Sequence, residues 1–242
     1  MTMNEAFRLL LDKCVIVYLD DILVYSRDKQ EHLADLEAVF RNLDEHMLLT
    51  KGSKCEFFQD TLEFLGHVIS EAGVEIDPKK LDTVNAWHPP TNITELQSFL
   101  GFVNYVRQFV PDMASLTTPL TELLRKGVDF TLGEKEHAAF SALKNVLRSP
   151  PVLRIADPHR PFEVVTDASN IAIGAVLLQD FGNGLQPVAY ESQKLHPPEK
   201  KYSIHDRQML AIGLAFKVRH CYLTGTDVTV RTDHKSLQYP RA

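Results

Sequence analysis

The stretch VIVYLDDILVYS, from Val15 to Ser26, sets two adjacent carboxylates, Asp20 and Asp21, inside an apolar, β-branched run. Such a run reads as strand, and two like charges in its middle need a reason. A hairpin supplies one, with Val15 to Leu19 and Ile22 to Tyr25 as the strands and Asp20-Asp21 as the tight turn between them. Asp is common in turns, so a polar hairpin tip accounts for it there. A two-residue turn is better served by Asn-Gly or Asp-Gly, however, because its central residues need positive φ. Neighbouring carboxylates also repel unless a cation neutralises them. Mg²⁺ does so with oxygen ligands while keeping positions for phosphate and water. Both readings, polar turn and cation site, follow from the residues.

Working outward, EHLADLEAVFRNLDEHM places Leu33, Leu36, Phe40 and Leu43 at helical spacing, which predicts an amphipathic helix packed on the preceding strands. LEFLGHVIS predicts a strand from Leu62 to Ser70, and EAGVEIDP a Gly turn and a second short strand. Pro89-Pro90 then breaks the chain, and Asn92 or Thr94 can cap a helix, with Glu95 or Gln97 completing a capping box. Helices are expected to about Arg148, with one stripe through Leu96, Phe99, Leu100, Val103 and Val106 and another through Phe140, Leu143 and Leu147. Phe99, Phe102, Tyr105 and Phe109 interleave with polar residues, which suits either helix core or contact with a nucleic-acid backbone.

Strands follow at Phe162 to Thr166, Ile171 to Gln179 and Gln186 to Ser192, then a helix from about His205 to His220 and a last strand in DVTVRTD, giving the order βββαβ. Asp167 ends the first of these strands and Asp233 the last. If the two run parallel and adjacent, with the helix as crossover, both carboxylates emerge at one sheet edge, where α/β folds bind ligands.

Composition bounds the rest. The 242 residues, 44% hydrophobic and 24% charged, describe a folded chain of one or two domains rather than a disordered or fibrous one. The net charge of −6 argues against a simple basic nucleic-acid binder. It hides an asymmetry, since Lys194 to Ala242 carries nine Lys/Arg against four Asp/Glu, and a polyanion partner at that end is compatible with it. No apolar run approaches the ~18 residues of a membrane span, and MTMNEAFRLLLDKC has no secretory pattern, so no membrane partner or export is expected. Cys14, Cys55 and Cys221 are odd in number and far apart, which fits a reducing compartment and no disulfide framework. His205, His220 and His234 lack zinc-site spacing with them.

YLDDILVYS resembles the catalytic Y-x-D-D hairpin of reverse transcriptases, in the version carried by gypsy-type LTR retrotransposons. SKCEFF, EFLGHVIS and LQSFLGFVNYVRQFVP resemble, in order, the family's segments between palm and thumb, and FEVVTDASNIAIGAVLLQ with AYESQKL, YSIHDRQMLAIGLAF and VTVRTDHKSL resembles the RNase H domain that follows. The resemblance implies a multidomain α+β and α/β chain: a partial palm over 1–85, a helical thumb and connection region over 86–150, and an incomplete RNase H-like βββαβ domain over 151–242. It implies RNA-directed DNA polymerase and RNA–DNA hybrid nuclease activity by two-metal phosphoryl transfer, with RNA template, DNA primer, RNA–DNA hybrid and dNTPs as partners.

In that scheme Asp20 and Asp21 hold Mg²⁺ for polymerisation, Asp167 and Asp233 hold Mg²⁺ for hybrid cleavage, the backbone of Phe64, Leu65, Gly66 and His67 positions the primer end, and Lys54 is a proton donor to pyrophosphate. The third polymerase aspartate has no counterpart before Asp20, since Asp12 belongs to the same local segment, and a fourth nuclease carboxylate lies past Ala242. At the second nuclease position, where the family has Glu, this chain has Gln208. Asp206, two residues away, is ~200° around a helix from it and does not replace it. The expectation is a fragment inactive on its own, with a non-catalytic retroelement remnant or nucleic-acid-binding module as the alternative. The cytoplasmic retroelement particle is the expected location, and no oligomeric state is read from the residues.

Overall fold

The computed structural model describes residues 3–11 and 13–233, so Asp12 and His234 lie outside the described residues. The chain divides into two compact units, Met1–Asp60 and Thr61–Ala242. No helix among the described residues is long and apolar enough to cross a membrane.

The first unit runs α1 (Met3–Ala6), β1 (Val15–Tyr18), β2 (Asp21–Val24) and α2 (Lys29–Glu45), closing with a 3₁₀ turn at Gly52–Lys54. β1 and β2 pair antiparallel, Val15 with Val24 and Val17 with Ile22, and the side-chain period of two sends these four to one face. That face packs with Phe7, Cys14, Val39 and Leu43 in the unit's core. Asp28 caps α2, its Oδ1 accepting from the amides of Gln30 (2.8 Å) and Glu31 (2.9 Å). The helix is as expected, but its buried face is not. Leu33 and Phe40 are exposed, whereas Val39 and Leu43 are buried and Leu36 half-buried. At about 100° per residue Val39 lies beyond Leu43 on the side away from Phe40, so including it turns the buried arc past Leu33 and Phe40. The Phe40 ring meets Phe57 instead, at 6.1 Å between centroids.

The second unit opens with an antiparallel meander of β3 (Thr61–Phe64), β4 (His67–Ser70) and β5 (Gly73–Ile76). The single strand expected from Leu62 to Ser70 is therefore a hairpin. Phe64 pairs with His67 across Leu65-Gly66, both at positive φ (50° and 71°), the geometry that a tight hairpin needs and that alternating apolar residues conceal. Gly73 sits at φ 138°, where the chain approaches Leu153, and Val74 and Leu153 exchange backbone hydrogen bonds of 2.7 and 3.0 Å.

Four helices follow: α3 (Pro78–Ala86), α4 (Ile93–Tyr105), α5 (Met113–Glu122) and α6 (Glu134–Arg148). Asp77 caps α3, with Pro78 at the first helical position. Asn92 caps α4 by accepting from the Glu95 amide at 2.9 Å, as expected. The expected stripes are buried except at Leu100, which is half-buried against them: Leu96, Phe99, Val103 and Val106 meet Leu120, Phe140, Leu143 and Leu147 in one core with Ile76, Val84 and Leu153. Each large side chain there contributes about 1.5–3 kcal/mol by leaving water.

The final part has β6 (Phe162–Ala168), β7 (Ala172–Asp180), β8 (Leu185–Lys194), α7 (Ile204–Val218), α8 (His220–Leu223) and β9 (Val228–Thr232), with the sheet ordered β8-β7-β6-β9. β6 and β9 are parallel and adjacent, from Phe162 opposite Val228 to Thr166 opposite Thr232, so α7 lies on the crossover as expected. α7 stops at Val218, two residues short of the expected end, with Arg219 as its C-cap. The Arg219 guanidinium pairs with Glu191 of β8, whose side chain is 2% exposed, and Arg107 holds the same carboxylate at 3.1 Å. Arg107 also donates to the Ser192 carbonyl, and the Ala114 amide donates to the Ser192 hydroxyl at 3.0 Å, so the helical segment is pinned to β8.

Candidate functional site

At the tip of the first hairpin, Tyr18 pairs with Asp21, so the two-residue turn is Leu19-Asp20 and Asp21 opens β2. The expected turn, Asp20-Asp21, is displaced by one residue. The positive φ falls on Leu19 (54°), a conformation that costs a non-glycine residue roughly 1–2 kcal/mol. Leu19, Asp20 and Asp21 are all exposed, so both carboxylates are presented to solvent at the end of a short hairpin. Among the described residues no group of three or more His, Cys, Asp or Glu is placed to hold a metal ion. Asp20 and Asp21 thus offer two carboxylates as hard oxygen donors, with no third acidic group placed beside them among the described residues. Lys54 ends the exposed 3₁₀ turn of the same unit.

The turn Leu65-Gly66 is gripped from outside. The Tyr105 hydroxyl, at the end of α4, donates to the Leu65 carbonyl, and the Lys80 ammonium lies 4.3 Å from the Tyr105 ring centroid. A Cβ on Gly66 would run into both. His67 stacks on Tyr105, centroids 5.2 Å apart and planes 6° from parallel, and meets Phe109 at 5.4 Å. Burial, and then the Lys80 charge, hold the His67 imidazole below its ordinary pKa. Of the aromatic residues weighed from sequence, Phe99 and Phe109 are fully buried, whereas Tyr105 reaches out to the turn. Lys80 carries no signal in the sequence that marks it for this place.

At the sheet edge, Asp167 is exposed one residue before the end of β6, and its Oδ1 accepts from the amide of Ala168 at 2.8 Å. Asp233 follows β9 directly. Because Thr166 is in register with Thr232, the two carboxylates occupy the next pair of positions on neighbouring parallel strands. Gln208, in the first turns of α7 and fully buried, completes the group. Its Nε2 donates to Asp233 Oδ1 at 2.7 Å, and its Oε1 accepts from Thr232 Oγ1 at 3.1 Å. In this orientation the amide NH₂ meets a carboxylate acceptor and the amide oxygen a hydroxyl donor. Asp206 is turned to its own helix start, accepting from Ser203 Oγ at 2.8 Å. Thr232 was not singled out by sequence, although its place beside Asp233 in a β strand was the available signal.

Two family models match the chain: "Reverse transcriptase (RNA-dependent DNA polymerase)" over residues 1–69 and "RNase H-like domain found in reverse transcriptase" over residues 132–230. The chain belongs to the reverse transcriptase and RNase H-like region of retrotransposon Pol polyproteins. Among relatives of this reverse transcriptase segment, a Retrovirus-related Pol polyprotein from transposon 297 of Drosophila melanogaster is 36% identical over 98% of the chain and 22% of its own length. The Transposon Tf2-3 polyprotein of Schizosaccharomyces pombe is 38% identical over 92% of the chain and 17% of its own length. The segment therefore spans about a fifth of the curated relatives it matches. Among solved structures, a foamy viral protease-reverse transcriptase in complex with double-stranded DNA matches 97% of the segment and 49% of that chain, with a TM-score of 0.79 at 25% identity. A second such complex gives 0.81 at 23% identity, covering 98% of the segment and 42% of that chain, which bears on the fold. Asp20, Asp21 and Phe64 to His67 fall within the polymerase match, and Asp167 and Gln208 within the RNase H-like match.

Proposed function

We propose that this segment supplies the metal-binding hairpin, the primer-positioning turn and the RNase H-like sheet of a retroelement polyprotein that copies RNA into DNA. The observation that carries the reading is the Asp20-Asp21 pair exposed at a hairpin tip inside the stretch matched as reverse transcriptase. The partition follows the sequence: palm over 1–85, thumb and connection over 86–150, RNase H-like over 151–242.

Asp20 and Asp21 would serve as two of the oxygen ligands of Mg²⁺, which when bound activates the primer 3′-hydroxyl and neutralises charge on the leaving pyrophosphate. Exposure leaves the two carboxylates within reach of a nucleotide's phosphates. The Leu65-Gly66 turn is held by Tyr105, and a turn so fixed would align a primer end for in-line attack. RNA template, DNA primer and dNTPs are the partners this implies. The complexes of similar folds with double-stranded DNA and with RNA/DNA hybrid support nucleic acid as the ligand class. The cytoplasmic retroelement particle is the place where such a polyprotein would act.

Primer extension on an RNA template by the polyprotein carrying this segment tests the reading. Asp20→Asn and Asp21→Asn should each lower the rate by at least about 10³-fold, as removing one member of a concerted group does. Extension within tenfold of wild type in both variants would refute it. A non-cleaving reading is favoured at the second site alone, by Gln208.

A further inference from the structure

The sheet-edge site is where this chain departs from its family, and its geometry says how. We propose that Gln208 takes the place of a cation there: its amide bridges to Asp233, and the β6–β9 edge is a site that does not take up a divalent ion. The inference rests on the assignment of residues 151–242 as RNase H-like.

Three observations carry it. The Gln208 Nε2 donates to Asp233 Oδ1 at 2.7 Å, so one of the two oxygens of this carboxylate is already paired with a donor, and a cation arriving beside it would face the positive end of the amide dipole. The amide cannot turn away, because Gln208 is fully buried and Thr232 Oγ1 donates to its other end at 3.1 Å. Finally, the three positions carry two carboxylates and a neutral group, and a hard cation that binds by oxygen count and charge loses one of each. Asp206, the nearest other acid on α7, is committed to Ser203 at the start of the helix. The amide also supplies Asp233 with a hydrogen-bond donor where a cation would otherwise stand. A Glu in the same place would set two carboxylates side by side, stable together only with a metal between them or a proton on one.

Iron-directed backbone cleavage of the full chain tests this without relying on turnover. Fe²⁺ replaces Mg²⁺ at oxygen sites, and with ascorbate and peroxide it generates hydroxyl radical that cuts the chain beside the bound ion. Wild type and Gln208→Glu are digested with an RNA–DNA hybrid present, and the cuts are mapped by mass spectrometry. Wild type should show no cuts around Asp167 and Asp233, and Gln208→Glu should show them at a yield at least about tenfold higher, the usual weight of a residue that tunes metal affinity. Cuts at both strand ends in wild type would overturn the proposal, and so would their absence in a folded Gln208→Glu, because the amide would then not be what excludes the ion. Should that variant fail to fold, the wild-type digest decides alone. Cuts at the Asp20-Asp21 hairpin report on the polymerase reading separately, so the two can fail independently.

Discussion

Replacing Glu191 by Gln should be among the most damaging single changes in the second unit, and the structure sets its size. The Glu191 side chain is 2% exposed and lies between Arg219, 17% exposed, and Arg107, 44% exposed. Arg107 loses little, because water solvates it and such half-open pairs contribute about 0–1 kcal/mol. Arg219 loses more, since its Nε has no hydrogen-bond partner among the described residues and its guanidinium depends on the carboxylate. Removing one partner of a buried pair costs about 3–5 kcal/mol. Gln keeps one acceptor oxygen, so the lower end, about 3 kcal/mol, is expected. For a domain of this size that lowers the melting midpoint by roughly 6–12 °C. The assay is a double-mutant cycle by urea and thermal melts, with Glu191→Gln, Glu191→Met, Arg219→Met and Glu191→Met/Arg219→Met. The apolar double variant should recover most of the loss, as well-packed apolar replacements of buried pairs do. A loss below about 1 kcal/mol for Glu191→Gln, or additive effects in the cycle, would refute the reasoning.

Gly73→Ala should unfold the meander's attachment to Leu153: the new Cβ would overlap the Leu153 carbonyl at a backbone φ of 138°, and a loss of about 3 kcal/mol or more is expected in the same melts. The His67 imidazole, held below its ordinary pKa of 6.5 by burial and then by Lys80, makes stability depend on pH. Above about 6.5 both folded and unfolded states are neutral at this position, and as pH falls the unfolded chain takes up the proton first, so stability declines until the lower folded value is passed. His67→Phe should flatten melting temperature between pH 7.5 and 5.5 relative to wild type, and an unchanged slope would show that another group sets it.

Much of the RNase H-like sheet was legible because alternation and turn residues there agree. FEVVTDAS alternates buried and open positions, and a helix between the third and fourth strands leaves a parallel crossover as the natural closure, and β9 pairs parallel with β6. The split of LEFLGHVIS is hidden in the sequence because Leu65 at positive φ has no local signature; Gly66 alone hints at a turn, and a single Gly in an apolar run fits a bulged strand equally well. The face of α2 was misjudged because four apolar residues at helical spacing looked sufficient until Val39 shifted their centre. At the sheet edge Gln208 could be singled out from its motif, but the direction of its amide could not. That direction depends on Asp233 and Thr232, which arrive from a strand about twenty-five residues downstream.

The parallel pairing of β6 with β9 also orders events during synthesis. β6, β7 and β8 follow one another and pair as a local meander, so they can assemble while the remainder is still inside the ribosome. β9 must wait until α7 has emerged and folded back, because its neighbour β6 was made some sixty residues earlier. A nascent polypeptide stalled before Val228 would carry Asp167 on a formed strand with Asp233 still untranslated, leaving Gln208 without the carboxylate it will later clasp.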